Sequence, residues 1–192
     1  MDKFKINKQK KNKLLQDSFK EEYMPKSNLF QALGNIENYK VIEIGTETGY
    51  YSEDLCKAVG PKGNIYCVDL NPDTKQIITY TTKGQKNVKN ILTFEDKIPL
   101  DDNSIDLVVS IDSLHQFEDV ELVMKEIHRI LKPQSKFFIA DFSPEYTPPP
   151  GPPKNERIYK EDCKLVCQDV GFRYLSSWNL SIYHYSLIFQ KK

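Results

Sequence analysis

The stretch that most constrains this chain is Val41 to Ser52, VIEIGTETGYYS. An apolar-leaning run (Val41, Ile42, Glu43, Ile44) reaches Gly45, crosses a short polar turn to Gly49 and enters an amphipathic segment. That is the pattern of a strand, a glycine loop and a helix. Such a unit aims backbone N–H groups and a helix N-terminus at one point, which suits an anionic ligand group. Small residues let a ligand approach the backbone closely. About twenty residues after Gly49, a second apolar run, Ile65-Tyr66-Cys67-Val68, ends in Asp69. An acidic residue at that distance, at the end of the next strand, is placed to accept from ribose hydroxyls.

The pattern around this unit alternates. Leu14, Leu15, Phe19 and Tyr23 recur near helical spacing until Pro25 ends the helix. Ser27 is placed to cap a second short helix carrying Leu29, Phe30 and Leu33 and closed by Gly34. Tyr50 to Val59 reads as the helix after the glycine loop, and Gly60-Pro61-Lys62-Gly63 as a turn. Strand two is Asn64 to Asp69. Pro72 to Thr82 is a helix with Ile77, Ile78 and Tyr80 inward, and Val88 to Phe94 is strand three. Ile105 to Ile111 is almost continuously apolar, as a central parallel strand should be. Val120, Val123, Met124, Ile127, Ile130 and Leu131 form one helical stripe, stopped by Pro133. Strand five is Lys136 to Asp141. Tyr159 to Val170 is a helix ended by Gly171, and Phe172 to Trp178 and Ile182 to Gln190 are two last strands. The alternation, closed by a hairpin, implies an α/β doubly wound sheet with helices on both faces and an antiparallel edge region.

The glycine spacing is not that of a dinucleotide fold, because Glu47 stands where G-x-G-x-x-G needs its middle glycine. The string resembles motif I of class I S-adenosylmethionine-dependent methyltransferases, in the EIGTxTGYS form of several small O-methyltransferases. Ile98 to Ser110, IPLDDNSIDLVVS, is similar to the LPFPDNSFDLVVS signature of the type-11 methyltransferases, which include the ubiquinone and menaquinone biosynthesis enzymes. Glu95-Asp96 matches their acidic pair after strand three. Ser113-Leu114-His115-Gln116-Phe117 matches their stretch after strand four, and Glu126 to Pro133, EIHRILKP, the end of their next helix. The resemblance implies a Rossmann-like seven-stranded sheet of order 3-2-1-4-5-7-6 with the last strand antiparallel. It also implies S-adenosyl-L-methionine as cofactor and S-adenosyl-L-homocysteine as product. Residues 1–26 are then a Lys-rich tail and helix, and residues 27–192 a single methyltransferase domain.

By that resemblance Gly45 and Gly49 line the methionine part of the cofactor, and Glu43 anchors the loop or the cofactor's amino group. Asp69 binds the ribose hydroxyls. Asp96 accepts from the adenine amine, with Leu70 and Ile98 against the ring faces; Thr46, Glu95 and Ser110 complete the cofactor-binding set. Methyl transfer is an in-line displacement at a sulfonium, so alignment and water exclusion are the main tasks. A base is needed only if the acceptor must lose a proton. Asp112, at the end of strand four, and His115, in the loop beyond, are the catalytic candidates. On the acceptor side stand Asp141, ending strand five, and Trp178, Tyr183 and His184. The antiparallel last strand brings these three to the site mouth around the turn Asn179-Leu180-Ser181. Alternation puts Tyr183 and Tyr185 on one face and His184 on the other. The loop Thr147 to Pro153 leaves strand five on the same side as a stiff wall or lid. His128, mid-helix, reads as structural.

Composition narrows the classes. Lys plus Arg number 27 and Asp plus Glu 27, so overall charge points to neither nucleic acid nor a membrane surface. Lys3, Lys5, Lys8, Lys10, Lys11, Lys13 and Lys20 crowd the start, which reads as a solvated tail rather than an RNA-docking arm. No apolar run is long enough to span a membrane and the start lacks a signal-peptide core, so a cytoplasmic location is expected. The four cysteines read as reduced thiols. Cys163 and Cys167 share a helix face, but no His or acidic cluster completes a metal site, and no metal is expected. Residues Ile111-Asp112-Ser113-Leu114 lack the Pro-Pro-Tyr/Phe pattern of enzymes that methylate amino groups of DNA or glutamine. Arsenite methyltransferases share parts of the signature but rely on a cysteine set that these four do not reproduce. An NAD-dependent oxidoreductase conflicts with the glycine spacing. Two classes stay open: a methyltransferase acting on a small-molecule acceptor, and a cofactor-binding or partner-binding protein of the same fold without turnover, an alternative that Glu47 supports.

Overall fold

The computed structural model describes residues 17–93, 97–146, 151–178 and 180–192. Its seven strands are β1 (Lys40–Ile44), β2 (Asn64–Asp69), β3 (Val88–Leu92), β4 (Ile105–Ile111), β5 (Leu131–Phe142), β6 (Phe172–Ser176) and β7 (His184–Lys191). They form one sheet of order β3-β2-β1-β4-β5-β7-β6. β1 pairs in parallel with both β2 and β4, and β7 is antiparallel to β5 and β6. The expected topology is therefore the observed one. Chain direction puts the carboxyl ends of β1, β2, β4 and β5 on one edge, with the strand order reversing between β1 and β4. That is where an open α/β sheet leaves a crevice.

Helices cover both faces. On one lie residues 17–23 (α1), α2 (Lys26–Leu33) and α3 (Ser52–Val59); on the other, α5 (Val120–Ile130) and α6 (Lys160–Val170). α4 (Thr74–Thr81) flanks α3. The central strands feed both cores by alternation. Val41, Ile65, Leu107 and Val109 pack beneath α3, while Ile42, Val68, Val108 and Phe137 pack beneath α5 and α6. α5 is the clearest amphipathic element: Val123, Met124, Ile127 and Ile130 are buried, and the Asp119 side chain caps its start by accepting from the Leu122 N–H at 2.9 Å.

Several local expectations give way to the packing. Pro25 both ends α1 and stands at the N-cap of α2, so Ser27 falls within the first turn and makes no capping bond. Tyr80 is 61% exposed while Ile78 is fully buried; the two lie about 200° apart around a helix, so one face cannot bury both. β5 starts at Leu131, not Lys136. Leu131 pairs with Ile105 and Lys136 with Leu107, and the residues between, including Pro133, form a bulge. The last ladder opens at His184, so Tyr183 and Tyr185 do not share a face. Tyr185 is buried beneath α5 and α6, while Tyr183 packs edge-on against Tyr23 with ring centroids 5.1 Å apart.

Among the described residues no helix is long and apolar enough to cross a membrane, and no group of three His, Cys, Asp or Glu side chains is placed to hold a metal ion.

Candidate functional site

Two adjoining cavities open at the carboxyl edge of the sheet. The first, of about 430 Å³, lies over the ends of β1 and β2. Its glycine-loop wall is Gly45, Glu47 and Thr48, its β2 wall Asp69, Leu70 and Asn71, and Ile98, Ser113, Phe117 and Val123 close the far side. The second, of about 390 Å³, lies over β4, β5 and the start of β7 and is roofed by Phe19, Lys20, Tyr23 and Met24. Both cavities touch Glu47 and Gln116.

In the first cavity the backbone comes as close as a glycine allows. Gly45 has φ +70°, and a Cβ there would lie 2.3 Å from the Ser113 Cβ. Ser113 is held by two bonds: its Oγ donates to the Ile44 carbonyl at 3.2 Å and lies 2.7 Å from the Ser110 Oγ. Ser110 is fully buried behind Ser113 and does not line the cavity. Gly49 (φ +69°) also faces away, since its missing Cβ makes room for Ile78 of α4. Thr46 ties the loop to β1 by donating to the Glu43 carbonyl at 3.2 Å.

Asp69 stands in the cavity wall. One carboxylate oxygen accepts from the Glu47 N–H at 2.9 Å and the other from the Asn71 N–H at 2.8 Å. A carboxylate has about four lone-pair sites, so about two remain for hydroxyls. Leu70 is 49% exposed on the rim, and Ile98 is buried at the wall. The Glu126 and Arg129 pair on α5 clamps the segment that carries Ile98. Glu126 accepts from the Ile98 N–H at 2.9 Å, and Arg129 donates to the Ile98 and Leu100 carbonyls, each at 2.9 Å. Glu95 and Asp96 lie outside the described residues.

Glu43 does not line either cavity. It is buried on the α3 face of β1 and accepts from the Ser52 hydroxyl at 2.5 Å, holding the start of α3. Burial pushes its carboxyl up to about 7, partly offset by Ser52 and Lys20. Of the two roles expected for it, this placement matches the loop anchor.

The second cavity holds two Asp–His pairs. The His115 Nδ1 lies 2.8 Å from Asp141 Oδ1, and Asp141 is fully buried. Asp141 is fixed in turn by the Leu114 N–H at 2.8 Å and the Phe142 N–H at 2.7 Å. The expectation that Asp141 meets an acceptor is corrected: its oxygens are engaged within the protein, by the His115 ring and by backbone N–H groups. Burial alone would lower the His115 pKa, but the Asp141 carboxylate raises it above the ordinary imidazole value. With Nδ1 engaged, Nε2 is the ring nitrogen left for the cavity.

The second pair is Asp112 with His184, Nε2 to Oδ1 at 3.1 Å, at an angle that falls short of a hydrogen bond. Asp112 takes a left-handed backbone conformation (φ 53°) where β4 breaks into its loop. Burial would raise its carboxyl, but His184, with Lys20 and His115 beyond it, holds it below the usual range. His184 Nδ1 lies 3.0 Å from the Ser181 hydroxyl. Phe142 stands between the two imidazoles, with centroids 5.8 Å from His115 and 4.4 Å from His184. Tyr183 meets this side through the Tyr23 ring and, by its N–H, through Ser181. Trp178 does not line the cavity: it is 41% exposed over a neighbouring groove with Tyr146 and Tyr159, which meets the cavity at His184. Of the proline loop, Gly151 and Pro152 line the cavity, and residues 147–150 lie outside the described residues, as does Asn179.

Lys20 is the functional position that the sequence hid. Grouped with the lysines of the tail, it instead enters the cavity roof and pairs with Glu47 at 3.0 Å. Burial would lower the Lys20 pKa, but Glu47 and the more distant Asp112 raise it above the ordinary value. No local pattern marks this lysine, because its partner is 27 residues away. The other tail lysines lie outside the described residues. All four cysteines are buried, and none lines either cavity.

With this geometry in place, the comparisons with known proteins are direct. Residues 42–139, just over half of the chain, match a family profile described as a methyltransferase domain. The chain is 28% identical over 116 residues to a demethylmenaquinone methyltransferase of Staphylococcus aureus, an overlap covering 60% of this chain and 48% of that protein. It thus spans about half the length of the curated relatives it matches. A crystal structure of a SAM-dependent methyltransferase from Aquifex aeolicus superposes with a TM-score of 0.87 at 26% identity, over 96% of this chain and 98% of that one. An arsenic(III) S-adenosylmethionine methyltransferase from Chlamydomonas reinhardtii shares the fold, with a TM-score of 0.64 at 21% identity, over 82% of this chain and 64% of that one.

Proposed function

This chain belongs to the methyltransferase-domain family, and we propose that it transfers a methyl group from S-adenosylmethionine to a small-molecule acceptor seated beside His115. The observation that carries this reading is the junction of the two cavities at Glu47 and Gln116. A ligand in one meets a ligand in the other at a single place.

The first cavity suits the cofactor in size and in chemistry. Gly45 lines the cavity, packed on Ser113 too closely for a Cβ between them, Asp69 has acceptor capacity for ribose hydroxyls, and Leu70, Ile98 and Phe117 offer apolar faces for a planar ring. Asp96 remains the proposed partner of the adenine amine. When bound, the cofactor supplies an activated methyl group on a cationic sulfur. The Glu47 carboxylate is drawn to Lys20, which supports a cofactor seated beside it. In the second cavity Phe19, Tyr23, Met24 and Phe142 exclude water and favour an apolar or aromatic acceptor. His115 takes the acceptor's proton at Nε2, and Asp141 holds the ring and stabilises the imidazolium. Asp112 keeps its charge and accepts a hydrogen bond from the acceptor.

Calorimetric titration with S-adenosylmethionine and S-adenosylhomocysteine tests the cofactor, with Asp69→Ala as the control. A mass-based methylation screen over hydroquinones, phenols, small thiols and amines tests the acceptor; the resemblance to demethylmenaquinone methyltransferases puts hydroquinones first. Micromolar binding that weakens in Asp69→Ala is the expected result. Binding without methylation of any class would favour the partner-binding alternative, and no binding by the folded protein would overturn the cofactor assignment.

A further inference from the structure

Glu47 occupies an unusual position. It is a non-glycine residue at φ 48° in the tightest part of the glycine loop. An L-residue there is held against a steric cost. Its two polar connections run in different directions. Its N–H donates to Asp69 at 2.9 Å, its carboxylate pairs with Lys20 at 3.0 Å, and its surface lies in both cavities. Lys20 belongs to α1, and the contact is not isolated. Thr48 donates to Asp17 at 3.2 Å, Tyr50 bonds to Glu21, and the Tyr51 hydroxyl donates to the Met24 carbonyl at 3.3 Å. Positions 17, 20, 21 and 24 fall at i, i+3, i+4 and i+7, which is one face of a helix. That face docks on the glycine loop, while Phe19 and Tyr23 beside it roof the acceptor cavity. Three of these four polar contacts join side chain to side chain and the fourth reaches the Met24 carbonyl, so this seam depends on how the loop is held.

We propose that Glu47 is a positioning residue that couples occupancy of the Asp69 cleft to closure of α1 over the acceptor cavity, through its ion pair with Lys20. The inference rests on the cofactor assignment made above. A ligand on Asp69 fixes the loop through the Glu47 N–H, and the fixed loop presents the Glu47 carboxylate to Lys20. The acceptor cavity is then complete only after the cofactor has bound, which imposes an order of addition and keeps water from an unpaired methyl donor. Glutamate at this position serves the connection, since a glycine would give the loop its conformation with no reach to α1.

Hydrogen exchange of the full chain, read on peptides covering residues 17–24 with and without S-adenosylhomocysteine, tests this directly. The wild type is expected to gain protection of α1 on binding. Glu47→Gln and Lys20→Met keep the backbone bond to Asp69 and should still bind, with affinity reduced roughly threefold or more, as expected for residues in contact. Their α1 protection should be largely lost. The double reversal Glu47→Lys with Lys20→Glu should restore it, which a merely structural lesion would not do. Equal α1 protection in Glu47→Gln and wild type, or no protection in the wild type despite binding, overturns the coupling. Absence of binding by the wild type overturns the cofactor assignment and the coupling with it.

Discussion

The cleft beside Asp69 and the cavity beside His115 share a wall at Glu47 but are assembled differently. The cleft draws most of its wall from short segments at strand ends: residues 44–48 after β1, 68–74 after β2 and 113–117 after β4. The backbone supplies much of its geometry, through the close packing of Gly45 on Ser113 and the N–H groups bonded to Asp69. The cavity is built almost wholly from side chains remote in sequence, from α1, the glycine loop, the ends of β4 and β5, residues 151–152 and the start of β7. A site made of strand-end backbone is tied to the fold. A site made of converging side chains can change its walls without changing the sheet, so the first suits a shared cofactor and the second a particular acceptor.

Substitutions confined to one region should separate the two. The largest effect is expected from His115→Ala, which should cut methylation of any acceptor found by about 10²- to 10⁴-fold, the usual yield of a positioned base. S-adenosylhomocysteine affinity should not change, and a parallel loss of affinity would erase the distinction between the regions. Next, Asp69→Ala should weaken S-adenosylhomocysteine by roughly ten- to a hundredfold. It removes a charged acceptor worth about 1.5–3 kcal/mol and leaves the Glu47 and Asn71 N–H groups unpaired. Calorimetry reads that loss, and His115 should keep its titration.

A smaller, graded effect should follow pH. The His115 pKa is raised by Asp141, so the rate should fall up to about tenfold per unit as pH drops through that raised value, where the base is protonated. Stability runs the other way. The contribution of the raised histidine is complete below the unfolded pKa of about 6.5 and is lost as pH rises through the folded value. In Asp141→Asn the rate limb should move to lower pH and this stability term should vanish, as read by pH–rate profiles and melting curves. The smallest effect is reserved for Trp178→Ala, expected to alter binding and turnover by less than about twofold, because Trp178 lines neither cavity and, among the described residues, its groove meets the acceptor cavity at His184 alone. A tenfold loss there would extend the acceptor region across the β6–β7 turn.

The same contrast explains which residues were legible in the sequence. Asp69 and Gly45 were visible because strand, loop and spacing fix them together. His115 is visible as a polar residue in the loop after β4, but its partner is not, since a strand-end aspartate in sequence does not say whether it faces an acceptor or, as Asp141 does, turns inward. Trp178 was drawn to the site by topology, which places a strand end but not the direction of a side chain. Gly49 was expected at the cofactor and instead admits Ile78, because a glycine in sequence does not say which neighbour needs the space. Lys20 and Glu47 carry charges of ordinary frequency, and only the docking of α1 makes them a pair.

The sequence by itself determined the alternation of strands and helices, the two faces of the sheet and the cofactor-side loop, which follow from short-range periodicity and from the few backbone conformations available at turns. The strand order and the family came from the resemblance of its motifs to those of the type-11 methyltransferases. The tertiary structure alone decided that Asp141 serves His115, that Asp112 meets His184, and that a lysine near the start closes the cavity against the glycine loop. Those contacts join residues from 26 to 72 positions apart, and no local pattern encodes a meeting that depends on how whole elements pack.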